Sequence, residues 1–474
     1  GGNLNSNKTL TQGYSAQGFP EGDFVYPSFS NGYPEGGSPT YYENTSRSMN
    51  GYFNLGYSFD DRYLMDFSLR ENGSSVFGAS KRYIGTWSVG LGWNLHKERF
   101  IADHLTWIDF LKLRASIGNP GNQNFSSSKT LTTFNFQLAS MNYFGMGAVL
   151  NQLGNPDLDW QITLDKNIGI DMTLIDKRLN ITADYYHKVT DPLLINISMP
   201  LSSGTSSYLT NMGKQISQGL TLSASYYIIQ KLDQRFSWLV RGNLRTQKTK
   251  LDKIGNKLDE LNKSGQGHNT VRYYNGADPD DIWAVKSAGI DPSTGRELFY
   301  DKEGNYTYDF SYDNEVICGN TRPKIEGVIG TSLNYKGFSV SMNFRYQTGA
   351  SVFNEALFNK VENISVSGLN KNQDKRALYE RWQNPGDKVR FKDIANAAST
   401  PMSSRFIQKE NVLSMESVYV GYEFYEGWIK KIGLSNLKIQ ASMRDVFRAS
   451  TIKSERGTLY PFARSLELGL SFNF

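Results

Sequence analysis

The chain has 474 residues, with 51 Lys and Arg against 46 Asp and Glu, and its net charge of +5 is too small over this length to imply a nucleic-acid partner. Its one cysteine, Cys318, excludes an internal disulfide framework. The mean hydropathy of −0.49 would place the chain among soluble proteins, and no segment reaches the roughly 18 apolar residues of a spanning helix. A β-barrel evades both tests, because half of each of its strands faces water.

Residues 1–47, rich in Gly, Ser, Asn, Tyr and Pro, read as the remainder of an extracellular loop. Strands are expected at roughly 48–59, 62–76, 83–95, 110–119, 162–174, 178–193, 211–228, 234–249, 325–336, 338–350, 413–425, 436–447 and 464–474, about thirteen in all. Strict alternation recurs along most of the chain. Trp87, Val89, Leu91, Trp93 and Leu95 oppose Ser88, Gly90, Gly92 and Asn94, and Leu111, Leu113, Ala115 and Ile117 oppose Lys112, Arg114 and Ser116. Phe338, Val340, Met342, Phe344 and Tyr346 oppose Ser339, Ser341, Asn343, Arg345 and Gln347, while Leu437, Ile439, Ala441 and Met443 oppose Lys438, Gln440, Ser442 and Arg444. The last ten residues continue the pattern, with Leu466, Leu468, Leu470, Phe472 and the terminal Phe474 on one face. Successive strand residues point to opposite faces, so these segments pair a large apolar face with one of Ser, Asn, Gly, Lys and Arg. Lipid outside and water inside produce that split. Tyr83 and Trp93 share a face, separated by roughly 25 Å of rise, which matches the spacing of two aromatic girdles.

Asp60-Asp61, Ile175-Asp176-Lys177, Lys231-Leu232-Asp233 and Lys336-Gly337 are short polar turns, whereas the alternate connections, about 120–160, 194–210, 250–324 and 351–411, are long. Short turns on one side and long loops on the other are the asymmetry of a bacterial barrel, with the long loops outside the cell. With the terminal strand descending to the periplasm, an odd number of strands cannot close such a barrel, and the Gly1-Gly2-Asn3 start carries no export signal. The expectation is therefore an all-β transmembrane antiparallel barrel of which residues 48–474 are the C-terminal portion.

Enzymatic and metal chemistry find little support. His96, His104, His187 and His268 are scattered without an H-x-x-x-H or Cys pairing, which argues against zinc and against a Ser-His constellation. Asp278, Asp280 and Asp281 lack calcium-loop spacing and read as a solvated turn. No catalytic, metal or cofactor-binding residue is expected, and Cys318 reads as an incidental buried thiol.

Local motifs add a family resemblance. Arg70-Glu71-Asn72-Gly73-Ser74-Ser75-Val76-Phe77-Gly78 with Arg82-Tyr83 and Gly90-Leu91-Gly92-Trp93 resembles the R-x-DGSS-x-FG…RYG…GW signature of SusC-like (RagA/SusC) TonB-dependent transporters of Bacteroidetes. In the same order, Leu111 to Gly118 with Gly121-Asn122-Gln123 resembles LKLRASYG…GNQ, and Asn155 to Trp160 resembles NP-x-L-x-W. Asn211-Met212-Gly213 with Gln218-Gly219-Leu220 is similar to N-x-G…KGIE, and Gly289 to Gly295 to GIDP-x-TG. Asn72 in place of Asp and Pro120 within the Gly-Asn-Gln turn depart from the pattern. The resemblance implies a barrel of roughly 22 strands, with a plug and a TonB-contacting segment that this chain lacks. It implies a SusD-like surface lipoprotein as a lid, coupling to the TonB complex, outer-membrane lipid around the wall, and oligosaccharides, or in some branches peptides, as cargo. Arg241, Asn243, Arg245, Asn343, Arg345 and Gln347 are then candidate lumen residues facing hydrated solutes. Leu470, Phe472 and Phe474 form a candidate barrel-assembly signal. A passive porin and a soluble β-rich glycan-binding protein are the rival readings.

Overall fold

The computed structural model describes residues 1–474 except 23–25, 35–36, 38–39, 76, 78–80, 123–129, 200, 206, 232, 256–257, 365–372, 397, 425–426 and 454–463. Of the sequence motifs, Val76, Gly78, Gln123 and the turn residue Leu232 lie outside the described residues.

Among the described residues, fourteen strands pair consecutively in one antiparallel sheet, with the two-residue strand Gly121–Asn122 joined to its side. They are β1 (Gly2–Gly13), β2 (Thr40–Phe59), β3 (Tyr63–Ser74), β4 (Tyr83–Asn94), β5 (Ile108–Gly118), β6 (Gln161–Leu174), β7 (Leu179–Thr190), β8 (Lys214–Lys231), β9 (Phe236–Asp252), β10 (Ile325–Tyr335), β11 (Phe338–Phe353), β12 (Ile407–Phe424), β13 (Asn436–Ser450) and β14 (Leu466–Asn473). Thirteen of these correspond to expected strands. The first corrects the expectation of a loop remnant over residues 1–47: Gly2–Gly13 pairs residue for residue with the first half of β2, from Gly2↔Gly51 to Gly13↔Thr40. Its Asn, Ser, Lys and Thr content hides it from a hydrophobic pattern, because only Leu4 and Leu10 mark its apolar side. Fourteen strands also remove the odd-count argument. Among the described residues β1 and β14 are not paired with each other, so the sheet is an open wall.

The register shows the two faces directly. Met65, Leu91, Ala115, Ile168, Tyr185 and Leu220 form one continuous row across β3 to β8. One residue along, Asp66, Gly90, Ser116, Asn167, Tyr186 and Gly219 form the next row. The apolar row carries side chains with nothing packed over them, such as Leu91 at 56% and Ile168 at 64% exposure. That is an outward lipid face, and the polar row is the inner one.

At one end the strands close through tight turns, in which Asp60 and Asp61 (φ 52° and 49°), Ile175, Asp176 and Lys177 (59°, 54° and 62°) and Lys336-Gly337 (45° and 93°) are left-handed. Such primed turns match the twist of antiparallel strands. Tyr63 stacks on Trp93 (6.3 Å) and Phe59 (6.5 Å) at this end, and Glu98 accepts hydrogen bonds from Tyr63 Oη (2.9 Å) and Trp93 Nε1 (3.0 Å). At the other end lie the long connections, with their own hairpins, such as Thr133–Asn142 with Gly145–Gln152 and Asp281–Val285 with Glu315–Asn320. Buried apolar side chains gather in these connections and at the strand end beside them: Leu193, Met212, Leu251 of β9, Ile254 and Leu258 make one cluster, and Leu357, Val361, Phe391 and Phe406 another. Among the described residues no helix is long and apolar enough to cross a membrane.

Candidate functional site

The polar face of the wall is the candidate site, and the residues singled out in the sequence lie on two strands that flank β10. Arg241, Gly330 and Asn343 share one register row, and Arg245, Glu326 and Gln347 another. Gly330 has no side chain, so Arg241 crosses it and donates from Nη2 to Asn343 Oδ1 (3.1 Å). Asn343 in turn donates from Nδ2 to Ser417 Oγ on β12 (3.0 Å). Glu326 lies 3.9 Å from the Arg245 guanidinium and accepts from Gln347 Nε2 (3.5 Å). Arg345 pairs with Glu416, a residue displaced from the ladder by the bulge between Met415 and Ser417. Five of the six residues thus form one lateral belt across β9 to β12.

Asn243 has a different place. Its Oδ1 accepts from the backbone N of Val328 (2.8 Å), substituting for a ladder bond, while its carbonyl oxygen accepts from Tyr346 Oη (2.9 Å). Tyr346 reaches it from the outer face across Gly327, its register partner, where a Cβ would overlap the Asn243 oxygen. Beside this knot, Asn180, Thr182, Ser223, Ser225, Arg241 and Asn243 line a trough of about 270 Å³. The small serines of β8 make its floor, and larger side chains of β7 and β9 its sides. It presents hydroxyl, amide and guanidinium groups, the set that hydrogen-bonds a polar solute.

Sequence reasoning did not single out the corresponding cluster on β5 to β7. Arg114 donates from Nε to Asp171 Oδ2 (2.6 Å) and lies 3.0 Å from Asp184 across the side-chain-free Gly169. Lys188 pairs with Asp165 at 2.9 Å. Alternation assigns each of these residues to the inner face, but their partnership depends on β5 pairing with β6 across the long connection 119–160.

Over the opposite end, the connections 253–324 and 354–406 are joined by buried ions. Arg405 contacts Glu297 (2.8 Å) and Glu362 (2.6 Å), all three nearly inaccessible. Arg272 makes a bidentate pair with Glu315 (2.7 and 2.8 Å). Burial lowers the Arg381 and Lys392 pKa values, and both side chains donate to backbone carbonyls. In the GIDP-x-TG turn, Tyr308 Oη, Ser293 N and Oγ and Thr294 Oγ1 hold the Asp291 carboxylate well below the usual range. Trp382 closes this turn by donating from Nε1 to Pro292 O (2.9 Å).

The Cys318 thiol donates weakly to Ala284 O (3.5 Å), and burial pushes its pKa up. Asp278 accepts hydrogen bonds from Thr249 N on β9 and from Asp280 N, and Asp281 accepts from Asp278 N and Asn320 Nδ2 within the loop. Among the described residues no three His, Cys, Asp or Glu side chains gather as a metal site. Leu470 and Phe472 lie on the outer face of β14, in register with Ile439 and Leu437, and Phe472 meets Phe474 edge to face at 5.6 Å.

Comparison with known proteins agrees with this wall. The chain is 27% identical over 470 residues to the TonB-dependent receptor P39 of Formosa agariphila, covering 88% of this chain and 44% of the relative. It is 26% identical over 457 residues to the TonB-dependent receptor SusC of Bacteroides thetaiotaomicron, covering 91% and 44%. The chain thus spans less than half the length of these relatives. Its fold is similar to that in a structure of the RagAB peptide transporter, with a TM-score of 0.83 at 22% identity over 96% of this chain and 49% of the other. The profile described as TonB dependent receptor-like, beta-barrel matches residues 1–370. The chain belongs to that family, and its fourteen strands are wall of an outer-membrane barrel.

Proposed function

We propose that the protein is an active importer, a SusC-like barrel that takes up oligosaccharides or peptides in a TonB-dependent step beneath a SusD-like surface lipoprotein. The observation that carries this reading is the family match together with a lumen face built of paired arginines, amides and hydroxyls rather than apolar residues. Such a face exchanges hydrogen bonds with a hydrated solute at little cost in desolvation. In this reading the belt of Arg241, Asn343, Arg345 and Gln347 lies along the cargo path, and the long connections at the outer end meet the lid. The test is purification from the native outer membrane, joined to an uptake assay with and without TonB. A co-purifying surface lipoprotein and TonB-dependent uptake are expected. Uptake that persists without TonB would make the protein a passive porin.

Leu470, Phe472 and Phe474 act in this proposal as the signal read during barrel assembly. Deleting Phe474 should lower the amount of heat-modifiable protein in the outer membrane. Unchanged amounts would remove that role.

A further inference from the structure

The pairing of β9 with β10 ends at Arg245↔Glu326, although β9 continues to Asp252 and the next strand, β11, continues to Phe353. Loop 253–324 enters the space above the short strand: Leu251 N donates to Ala277 O (2.9 Å), Gly276 N to Leu251 O (2.8 Å), and Gly319 packs against Ser351. At this insertion the surface holds a cavity of about 880 Å³ that reaches Tyr185 and Leu220 on the outer face. Lys248, Lys324 and Lys409 line it, all three exposed.

The place of Lys248 is set by register. The outer row Ile168, Tyr185, Leu220, Thr246 is followed, two residues further up each strand, by the row Lys166, His187, Gln218, Lys248. The outer surface changes there from apolar to basic and polar. From Phe236 at the short-turn end to Lys248 the strand rises roughly 30 Å, given about 3.3 Å per residue and a tilt near 40°, just past an apolar band about 25 Å tall. Lys248 therefore stands at the level of the outer-leaflet headgroups, and Lys324 and Lys409 line the same cavity. The cavity's acidic groups are already engaged: Asp278 accepts from Thr249 N (3.1 Å) and Asp280 N (3.0 Å), and Asp281 from Asp278 N (2.9 Å) and Asn320 Nδ2 (2.9 Å). Arg322 pairs with Asp280. Among the described residues the three lysine ammonium groups have no such partner.

We propose that this cavity binds the phosphorylated headgroup of an outer-leaflet lipid. Lys248, Lys324 and Lys409 hold the phosphates, and the acyl chains lie on the Tyr185 and Leu220 surface below. Charge complementarity and unbroken continuity with the lipid-facing band select a lipid over a soluble anion. The site depends on the outer-membrane location and not on the import reading, so uptake is a separate readout.

The experiment purifies the complete protein from its native membrane as wild type, as the triple variant Lys248→Gln/Lys324→Gln/Lys409→Gln, and as the control Lys302→Gln on an exposed loop. Each is placed in phosphatidylcholine nanodiscs containing diphosphorylated lipid A or its dephosphorylated form, and retained lipid is counted by native mass spectrometry. Wild type and control should retain the phosphorylated lipid at least fivefold better than the triple variant, and should not retain the dephosphorylated one. Equal retention by the triple variant, or equal binding of both lipids, would overturn the proposal. Inorganic phosphate binding as tightly as the lipid would replace the lipid with a free anion. Should the triple variant lose its heat-modifiable fold, Lys409→Gln alone and the salt dependence of wild-type retention give the same decision, a salt-insensitive complex being the overturning result.

Discussion

The wall and the loop assembly above it are built on opposite plans. On the wall, large apolar residues are the exposed ones, as with Leu91, Ile168 and Leu468 at 56%, 64% and 79%, while ion pairs and amides lie on the inner face. In loops 253–324 and 354–406, Ile282, Val285, Phe299, Val361 and Phe406 are buried, as in a soluble domain. Each plan follows from its solvent. Lipid removes the drive to bury apolar side chains but forbids unpaired backbone groups, so the wall is held by its ladder. The loops stand in water and must build cores of their own. Charges reverse in the same way: inner-wall ions stay half-exposed, whereas Arg405, Glu297 and Glu362 are sealed from water.

The sharpest test of this contrast removes Arg405. Arg405→Gln leaves two buried carboxylates without their cation, a loss of about 3–5 kcal/mol to the loop assembly. Hydrogen exchange around Glu297 and Glu362 should accelerate while the wall keeps its heat-modifiable mobility. Faster exchange in the wall as well would show that the two regions are one cooperative unit.

Arg at Leu468, Val340 or Leu91 is the converse experiment on the wall. Near the midplane such a charge costs about 2–4 kcal/mol, whereas Arg at Ser471, Ser341 or Gly90 meets the lumen side. Refolding yields in detergent and lipid should separate the two sets, and equal yields would contradict the assignment of faces. A smaller effect is expected at Gly327, where the added methyl of Gly327→Ala overlaps the Asn243 carbonyl and displaces Tyr346. Overpacking of this kind costs about 1–3 kcal/mol, read as a lower thermal midpoint. An unchanged midpoint would mean that the knot relaxes freely.

The smallest effect concerns pH. Because the folded-state pKa of Asp291 is depressed, its contribution is present above the ordinary carboxylate range and is lost only as pH falls through the depressed value. Proteolysis of the 287–307 hairpin should therefore be equally slow at pH 7 and pH 5 in the wild type. Asp291→Asn should speed it at both values. A wild-type rate that rises between pH 7 and pH 5 would show that the turn does not hold the carboxylate ionised.

Thirteen of the fourteen strands, both faces of the five whose alternation was read residue by residue, and the short-turn end were legible in the residues, because a period of two needs only local information. The alternation of Phe338 to Gln347 states which residues meet lipid whatever the neighbouring strand is. β1 escaped for the complementary reason: the polar run Asn5-Ser6-Asn7-Lys8-Thr9 becomes a strand through its ladder with β2, not through its own pattern. The inner-face residues were likewise identifiable as polar, but not their partners. Gly330 lets Arg241 reach Asn343 and Gly169 lets Arg114 reach Asp184 only once the register is set, and register is decided between strands. The insertion of loop 253–324 beside β9, and with it the lysine-lined cavity, was decided wholly by tertiary structure. It joins residues as distant in the chain as Lys248 and Lys409, and nothing local in either segment encodes their proximity.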